Sequence, residues 1–209
     1  MSEDNSSFSN IFRLDGEIIP QTLTDFRKKH DECIKQNADA MIIEINSPGG
    51  LVTSALGILQ TMKDSPMTIV TSNVGRAYSA AACILAGGTL GFRYQSPTAF
   101  TMMHDVSSVQ WGSFQDIEVS LDHVKELRDT LFNFVDSCTG YPPGTWLKRI
   151  SLKNVDLWYN AEDAKKVKLI DVVALPNFSV EKTTTTAYTT KLNGGSLDPV
   201  LLSGRGSIT

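Results

Sequence analysis

Residues 40–50 read AMIIEINSPGG, a nearly continuous β-prone apolar run that ends in a proline and two glycines. Strands of a parallel sheet have this composition, because helices cover both faces of the sheet and bury every side chain. The run therefore predicts a buried strand over residues 40–45 and a turn over residues 46–50. A helical pattern follows from about residue 52 to residue 63, which makes a strand–turn–helix unit.

The same order of elements recurs up to about residue 103. Residues 10–14 predict a short strand, and residues 20–37 have the charged, amphipathic pattern of a helix. Another apolar strand is predicted over residues 67–71, followed by a helix of small residues. Strands that alternate with helices in this way predict an α/β fold with a parallel sheet.

A long helix is predicted in the second half of the chain. Ser113 and Asp116 resemble a capping box, and the helical pattern continues to about Cys138. Apolar residues recur along it at helical spacing, which predicts one buried stripe. The stripe consists of Ile117, Leu121, Val124, Leu131 and Val135.

Three regions of different composition follow one another along the chain. Residues 1–9 are mostly polar and are predicted to be a mobile N-terminal arm. Residues 10–175 predict one folded domain, a size that allows a full hydrophobic core. Residues 176–209 are rich in threonine and glycine and poor in large apolar residues, so we predict a tail that only a partner would order.

Composition excludes several classes of function. The 209 residues carry a formal net charge of −4 and contain no basic footprint for nucleic acid. No run of about 18 apolar residues is present, so no membrane span is predicted. The N-terminus does not read as a secretory signal, and the three widely spaced cysteines match no metal pattern. We therefore predict a cytoplasmic protein without metal or cofactor, and without nucleic acid or membrane as a partner.

Three segments carry residues suited to nucleophilic catalysis. Ser79 opens the small-residue helix, where a serine is either a helix cap or a nucleophile. Gly49 and Gly50 follow a buried strand and offer backbone N–H groups to a developing oxyanion. His104 ends a further strand, where it is either a structural histidine or a general base. Because the ends of parallel strands converge, these residues are predicted to meet.

The motifs also resemble those of a known family. They are the residues 46–50, Gly75-x-Ala77-x-Ser79, Met102-Met103-His104 and Gly112-x-x-x-Asp116-Ile117-Glu118. From about residue 10 to about residue 173 the chain resembles the proteolytic subunit of the caseinolytic (Clp) serine proteases. The resemblance implies a Clp/crotonase-like spiral of repeated ββα units with a long protruding helix. It also implies a serine endopeptidase that cleaves unfolded or flexible polypeptides inside an oligomeric ring.

The resemblance assigns a role to each residue of the site. Ser79 is the nucleophile, His104 the general base and Asp156 the acid that orients the imidazole. The backbone N–H groups of Gly50 and Ala80 form the oxyanion hole. Asp156 precedes an aromatic residue and an Ala-x-x-Ala helix, as the aspartate of the family does.

Other titratable residues lie near these motifs. Asp105 is the alternative to Asp156, although adjacent residues at a strand end point in opposite directions, so Asp105 is expected to face away from His104. His30 and His123 lie among charged residues and are predicted at the surface.

The resemblance also bears on partners. It implies a homo-oligomeric ring, either a heptamer or stacked rings. It also implies an AAA+ unfoldase as a partner, but the short N-terminal arm makes that partner doubtful. Asp105 and Val106 stand where relatives carry proline and glycine, so the substrate-pairing strand over residues 106–111 is expected to be shaped differently. Such departures suit a divergent member encoded by a phage or virus, whose location would be the host cytoplasm.

Three other functions remain open from the sequence. A catalytically silent ring scaffold would lack a member of the triad, whereas all three residue types are present here. A Ser/Lys hydrolase similar to signal-peptide peptidases would need a lysine beside Ser79, which no motif supplies. A crotonase-type acyl-CoA enzyme would use the paired N–H groups but would not need Ser79 and His104.

Overall fold

The computed structural model describes residues 10–109, 111–153 and 156–176. The predicted arm over residues 1–9, and the predicted tail from residue 177 onward, lie outside the described residues. The elements in chain order are β1 Ile11–Ile18, α1 Pro20–Lys35, β2 Ala40–Gly50, α2 Val52–Lys63, β3 Thr68–Tyr78, α3 Ala80–Ala86, β4 Arg93–Gln95, β5 Phe100–Met103, α4 Phe114–Thr139, α5 Thr145–Lys153, β6 Leu157–Tyr159, α6 Ala161–Lys166 and β7 Val172–Val173.

The seven strands form one sheet that branches at β3. Five strands lie in the order β1-β2-β3-β4-β7, and all of their pairings are parallel. Strand β3 pairs with β4 over residues 71–73 and with β5 over residues 76–78. Strand β6 then pairs antiparallel with β5. The predicted α/β fold with a parallel sheet is confirmed, and the branch places the end of β5 beside the end of β3.

Helix α3 lies at the centre of the core, between the sheet and the other helices. Each of its seven residues is at most 2% exposed, and the three alanines at its start let it approach β2 and β3 closely. Although α3 is apolar throughout, no helix of the described residues is both long and apolar enough to cross a membrane. The burial of α3 fixes the position of the residue that precedes it, Ser79.

Strand β2 is longer than the sequence predicts. The predicted turn over residues 46–50 is extended chain and belongs to β2, which therefore continues to Gly50. The reason is pairing with β1, which also continues past its predicted end: Glu17 pairs with Gly49 and Ile18 with Gly50. A register shift between Asp15 and Glu17 lets the two strands stay paired through this glycine-rich region. Turn composition is thus overruled by tertiary pairing.

Helix α4 begins and ends close to the predicted residues. Ser113 caps its first turn, accepting a hydrogen bond from the Asp116 backbone, and Asp116 completes the capping box. The prediction of one continuous buried stripe is wrong for the first half, where Ile117 and Leu121 are 39% and 47% exposed. Burial begins at Leu131, so the first half of α4 projects from the body of the protein. Periodicity alone cannot tell a buried stripe from one that projects.

The last two strands are short, and one expected strand does not form. Strand β7 takes up only the last two residues of the stretch Leu169-Ile170-Asp171-Val172-Val173, and β6 has no counterpart in the sequence prediction. The segment predicted as a substrate-pairing strand, residues 106–111, has no regular secondary structure over residues 106–109, and Gln110 lies outside the described residues. A strand without a partner has no ladder to define it.

Candidate active site

Ser79 lies at a sharp turn between β3 and α3. Its backbone has φ 56° and ψ −126°, a conformation that side-chain-bearing residues adopt rarely. Such a residue stores roughly 1–3 kcal/mol of strain, which persists only where the surroundings enforce it. A serine on a strained strand-to-helix turn has its hydroxyl lifted out of the chain and presented to solvent or substrate. Ser79 adopts this arrangement at the start of the buried helix α3.

His104 follows β5 and reaches the Ser79 hydroxyl. Its Nε2 lies 2.8 Å from Ser79 Oγ, a hydrogen-bonding distance. The backbone N–H of Ser79 donates to the carbonyl of Met102 at 2.8 Å, which holds the turn against β5. Among the described residues the hydrogen-bond partner of the Ser79 hydroxyl is thus the His104 ring, and the cap alternative for Ser79 gains no support.

The backbone of Gly49 runs directly against the Ser79 turn. A Cβ atom on Gly49 would lie 2.6 Å from the carbonyl oxygen of Tyr78 and 2.7 Å from Ser79 Cβ, closer than real Cβ atoms approach. The φ of Gly49 is +97°, which also favours glycine. The hydroxyl of the buried Ser47 accepts the Gly49 N–H at 3.1 Å and holds this segment in place. Only a glycine allows β2 to end beside the serine.

One pocket brings together four of the five predicted site residues. Ser79 and His104 line it together with Gly50 and Ala80, whose N–H groups were predicted to bind an oxyanion. The fifth residue, Asp156, is not part of its lining. The pocket thus contains the paired serine and histidine together with the two residues whose backbone N–H groups were predicted to receive the oxyanion.

The apolar walls of the pocket come in part from helix α4. Leu131 and Phe132, where α4 becomes buried, line the pocket together with Val52 and Met103. Helical periodicity predicts Leu131 in a buried stripe, but no motif in the sequence assigns either residue to the site. The available signal was the stripe itself, because a projecting helix becomes buried where it meets the body of the protein.

Cys83 also lines the pocket and is the other candidate for a nucleophile there. Complete burial is the main cause that raises the pKa of its thiol to about 12. The thiolate is the reactive form, so at neutral pH this cysteine remains protonated and inert. It behaves as the small core residue that its position in an apolar run predicts.

Asp156 immediately precedes β6, the strand that pairs with the strand leading to His104. Leu157 pairs with Met103 in the β5–β6 ladder, and extending this antiparallel register by one residue brings Asp156 opposite His104. Directly opposite residues have Cβ atoms about 4.5–5.5 Å apart. Asp156 is exposed, and in the described part of the chain it makes no hydrogen bond or ion pair with His104. The strand register therefore brings the aspartate towards the histidine, but the two side chains are not hydrogen-bonded to each other.

Asp105 faces the protruding helix. One of its carboxylate oxygens accepts the backbone N–H of Val106 at 2.7 Å, and the other lies 3.9 Å from the Arg128 guanidinium of α4. Its carboxylate is thus engaged away from the imidazole of His104.

His30 was predicted at the surface, and that prediction is wrong. It is 6% exposed, its ring stacks on Phe26, and its Nε2 lies 3.0 Å from the hydroxyl of Ser65. Charged neighbours in sequence misled the prediction, because on a helix the residues beside His30 point in other directions. His123 is exposed, as predicted.

Comparison with known proteins places the chain in a family. The Clp protease family model matches residues 32–177, which include every residue of the site. The chain belongs to the Clp protease family. This assignment confirms the resemblance seen in the motifs, and the mixed α/β fold with its parallel sheet is consistent with the Clp protease fold.

Individual Clp relatives are identical to the chain at about a third of the positions in the matched region. The ATP-dependent Clp protease proteolytic subunit 2 of Corynebacterium efficiens is 36% identical over 129 residues, which is 62% of this chain and 63% of that protein. Subunit 1 of Chlamydia felis is 36% identical over the same share of this chain and 62% of its own length. Subunit 3 of Streptomyces coelicolor is 35% identical, with 58% of its length covered. The matched region thus spans less than two thirds of each Clp relative.

Proposed function

We propose that the chain is a serine endopeptidase that hydrolyses peptide bonds of unfolded or flexible polypeptides through Ser79, His104 and Asp156. The observation that carries the proposal is the 2.8 Å pair of Ser79 Oγ and His104 Nε2 on a strained turn. A serine hydroxyl is a weak nucleophile until a base lies within hydrogen-bonding reach. Membership of the Clp protease family supports the same chemistry.

The reaction follows from the positions of the groups. With its own proton on Nδ1, the His104 ring accepts the Ser79 hydroxyl proton at Nε2 while Oγ attacks the carbonyl carbon of the substrate. The carbonyl oxygen becomes an oxyanion, to which the N–H groups of Gly50 and Ala80 donate. His104 then gives the proton to the leaving amine, and Ser79 keeps the acyl group as an ester. Water, deprotonated by His104, hydrolyses the ester and restores the hydroxyl.

The pocket beside Ser79 indicates which side chains the enzyme accepts. Its walls include Val52, Met103, Leu131 and Phe132, so an apolar side chain on the acyl side of the cleaved bond would bury its surface there. The backbone of a folded protein is held in its own secondary structure and cannot enter the pocket in extended form. Unfolded chains can, and for that reason we propose them as the substrates.

The protruding helix supports assembly into a ring. Its first half and the segment before it expose large apolar side chains, among them Trp111 at 88% and Phe114 at 81%. Contiguous apolar surface of this kind marks protein–protein contacts. We propose that copies of this chain cover it in a homo-oligomeric ring, either a heptamer or stacked rings. The names of the relatives include dependence on ATP, and an AAA+ unfoldase would extend the substrates from unfolded to folded proteins.

Degradation of a permanently unfolded protein tests the proposal. Wild-type protein, assembled as judged by native mass spectrometry, is expected to cut a reduced and carboxymethylated protein into peptides. Ser79→Ala is expected to assemble equally and to lose this activity by about 10⁴-fold or more, because the acyl-enzyme cannot form. A ring that binds the substrate without cleaving it would instead identify a silent scaffold. A protein that remains monomeric would contradict the proposed ring.

Asp156→Asn tests the third member of the triad. If the carboxylate orients His104 in the assembled protein, the amide favours the wrong tautomer and kcat falls by about 10²–10⁴-fold. Asp105→Asn is the matched control on the other side of His104, and we expect a much smaller loss of kcat. The reverse order of the two effects, measured with a fluorogenic peptide, would transfer the orienting role to Asp105.

A further inference from the structure

Three polar side chains lie buried beneath the branch of the sheet. Asn73 of β3, Gln95 of β4 and Thr101 of β5 are each 0% exposed. They lie on the face of the sheet that carries α3. This follows from Thr71, two residues before Asn73 on the same strand, which donates its hydroxyl proton to the carbonyl of Leu85 in α3. Buried polar groups are costly unless they are hydrogen-bonded, so their presence here needs an explanation.

The branch itself creates the need for Asn73. Strand β3 leaves β4 after Asn73 and joins β5 from Arg76, so the backbone between them lacks a partner strand. The Asn73 side chain supplies one: its Nδ2 donates to the carbonyl of Phe100 at 2.9 Å, and its Oδ1 accepts the N–H of Gly75 at 3.2 Å. Asn73 therefore satisfies one backbone group on each side of the branch.

Gln95 and Thr101 complete the network. The Thr101 hydroxyl donates to Gln95 Oε1 at 2.6 Å and accepts a longer bond from Asn73 Nδ2 at 3.3 Å. Gln95 Nε2 in turn donates to the carbonyl of Ala99 at 2.9 Å. Every polar atom of the three side chains thus has a partner, and β3, β4 and β5 are held to one another by side chains where the backbone ladder divides.

The two strands that the network joins carry the two reacting side chains. Strand β3 leads directly into Ser79, and β5 leads directly into His104. A displacement of β5 against β3 therefore changes the distance between Ser79 Oγ and His104 Nε2. Misplacement by about 1 Å can cost about 10²-fold in rate.

We propose that Asn73, Gln95 and Thr101 are positioning residues that set the Ser79–His104 geometry from beneath the sheet. The inference rests on the proposed function in that His104 is taken as the base. It goes beyond that function, because none of the three residues touches the pocket. Their role is to fix the register and separation of the strands that end at the site.

Thr101→Val tests the inference with the smallest change of shape. Valine keeps the volume of threonine but removes the hydroxyl that bonds Gln95. We expect kcat for a fluorogenic peptide to fall by about 10- to 100-fold while KM stays within about twofold, because the geometry of attack changes and the pocket does not. Thr101→Ser retains the hydroxyl and is expected to keep kcat within about threefold of wild type.

Thr71→Val is the matched control. Thr71 is also 0% exposed and loses a buried hydrogen bond of 2.8 Å, but it contacts α3 rather than β5. It is expected to lower the melting temperature about as much as Thr101→Val while leaving kcat near that of wild type. Equal kcat in the two valine variants would show that Thr101 only stabilises the fold and would overturn the proposal.

A spectroscopic measurement separates this inference from the proposed function. Imidazole resonances of isotope-labelled histidine are assigned to His104 with the His104→Ala variant. They are expected to shift in Thr101→Val and to stay unchanged in Thr71→Val. Wild-type protein without peptidase activity would contradict the proposed function alone, because the His104 resonances would still report its position. Unshifted resonances in Thr101→Val would contradict the positioning role even in an active enzyme.

Discussion

Replacing His104 with alanine is expected to lower kcat of peptide hydrolysis by about 10⁴-fold, with little change in KM. The imidazole lies 2.8 Å from the hydroxyl that it deprotonates. Asp105 also lines the pocket and could accept a proton, but its carboxylate accepts the Val106 N–H and lies 3.9 Å from Arg128. The substrate still binds, because the pocket walls are unaffected. Steady-state kinetics with a fluorogenic peptide measure both constants.

His30 provides an internal control, because the chain contains a second histidine–serine pair. His30 Nε2 lies 3.0 Å from Ser65 Oγ, almost the same distance as in the site. Yet Ser65 also accepts the backbone N–H of Met67, and His30 is buried against Phe26. Because His30 is only 6% exposed, a substrate has little access to this pair, and we expect it to stabilise the fold without taking part in hydrolysis. His30→Ala is expected to lower the melting temperature, because it removes a buried side chain from the core. We expect kcat to stay within about threefold of wild type, because His30 lies outside the site.

The activities of these variants distinguish a Ser-His-Asp triad from a Ser/Lys hydrolase. Full activity in His104→Ala together with inactivity in Ser79→Ala would identify a base other than histidine, as in the Ser/Lys hydrolases. Equal losses in His104→Ala and His30→Ala would mean that the measured effect comes from unfolding.

Arg93→Met is expected to give the largest loss of stability, about 3–5 kcal/mol in the free energy of unfolding. Arg93 is 1% exposed and holds the Asp171 carboxylate through two hydrogen bonds of 2.8 and 2.6 Å. Its third nitrogen donates to the carbonyls of Ala86 and Cys138, at the ends of α3 and α4. Methionine fills the space of the arginine but carries no charge. The Asp171 carboxylate, whose side chain is only 17% exposed, then lacks its cation. Denaturant titration followed by the fluorescence of the buried Trp146 measures the change.

Arg13→Met is the matched control for this prediction. Arg13 also pairs with a carboxylate, Glu44, at 3.1 Å, but its side chain is 69% exposed. Water screens such a pair, so the expected loss is below about 1 kcal/mol. Similar losses in both variants would contradict the importance of burial. A double variant, Arg93→Met with Asp171→Leu, is expected to recover part of the stability but not all, because Asp171 also accepts the N–H groups of Gly91 and Arg93.

The sequence predicts the helices better than the strands. Helices α2 and α4 begin and end within a residue or two of the predicted positions, since periodicity and capping residues are local signals. The end of β2 is mispredicted because Pro48, Gly49 and Gly50 have turn composition, whereas pairing with β1 keeps them extended. Strand β6 escapes prediction because three residues are too few to show a period.

Local sequence signals also decide which functional and stabilising residues could be predicted. Ser79, His104 and the glycines could be predicted because each lies at the end of a strand, and strand ends converge. The Arg93–Asp171 pair could not be predicted, because the two residues are far apart in sequence and no local pattern joins them. Asn73, Gln95 and Thr101 did leave a signal, as polar residues within strands that are otherwise buried. Their function depends on the branch of the sheet, which only the tertiary structure shows.

Labelling with a fluorophosphonate probe, followed by peptide mapping, tests the central claim most directly. The probe reacts with a serine only where a base activates it and an oxyanion hole receives the phosphoryl oxygen. We expect one probe per chain on Ser79 of the assembled wild-type protein, slow labelling of His104→Ala, and no labelling of Ser79→Ala. Assembled wild-type protein that remains unlabelled, or a label that persists in Ser79→Ala, would contradict the claim.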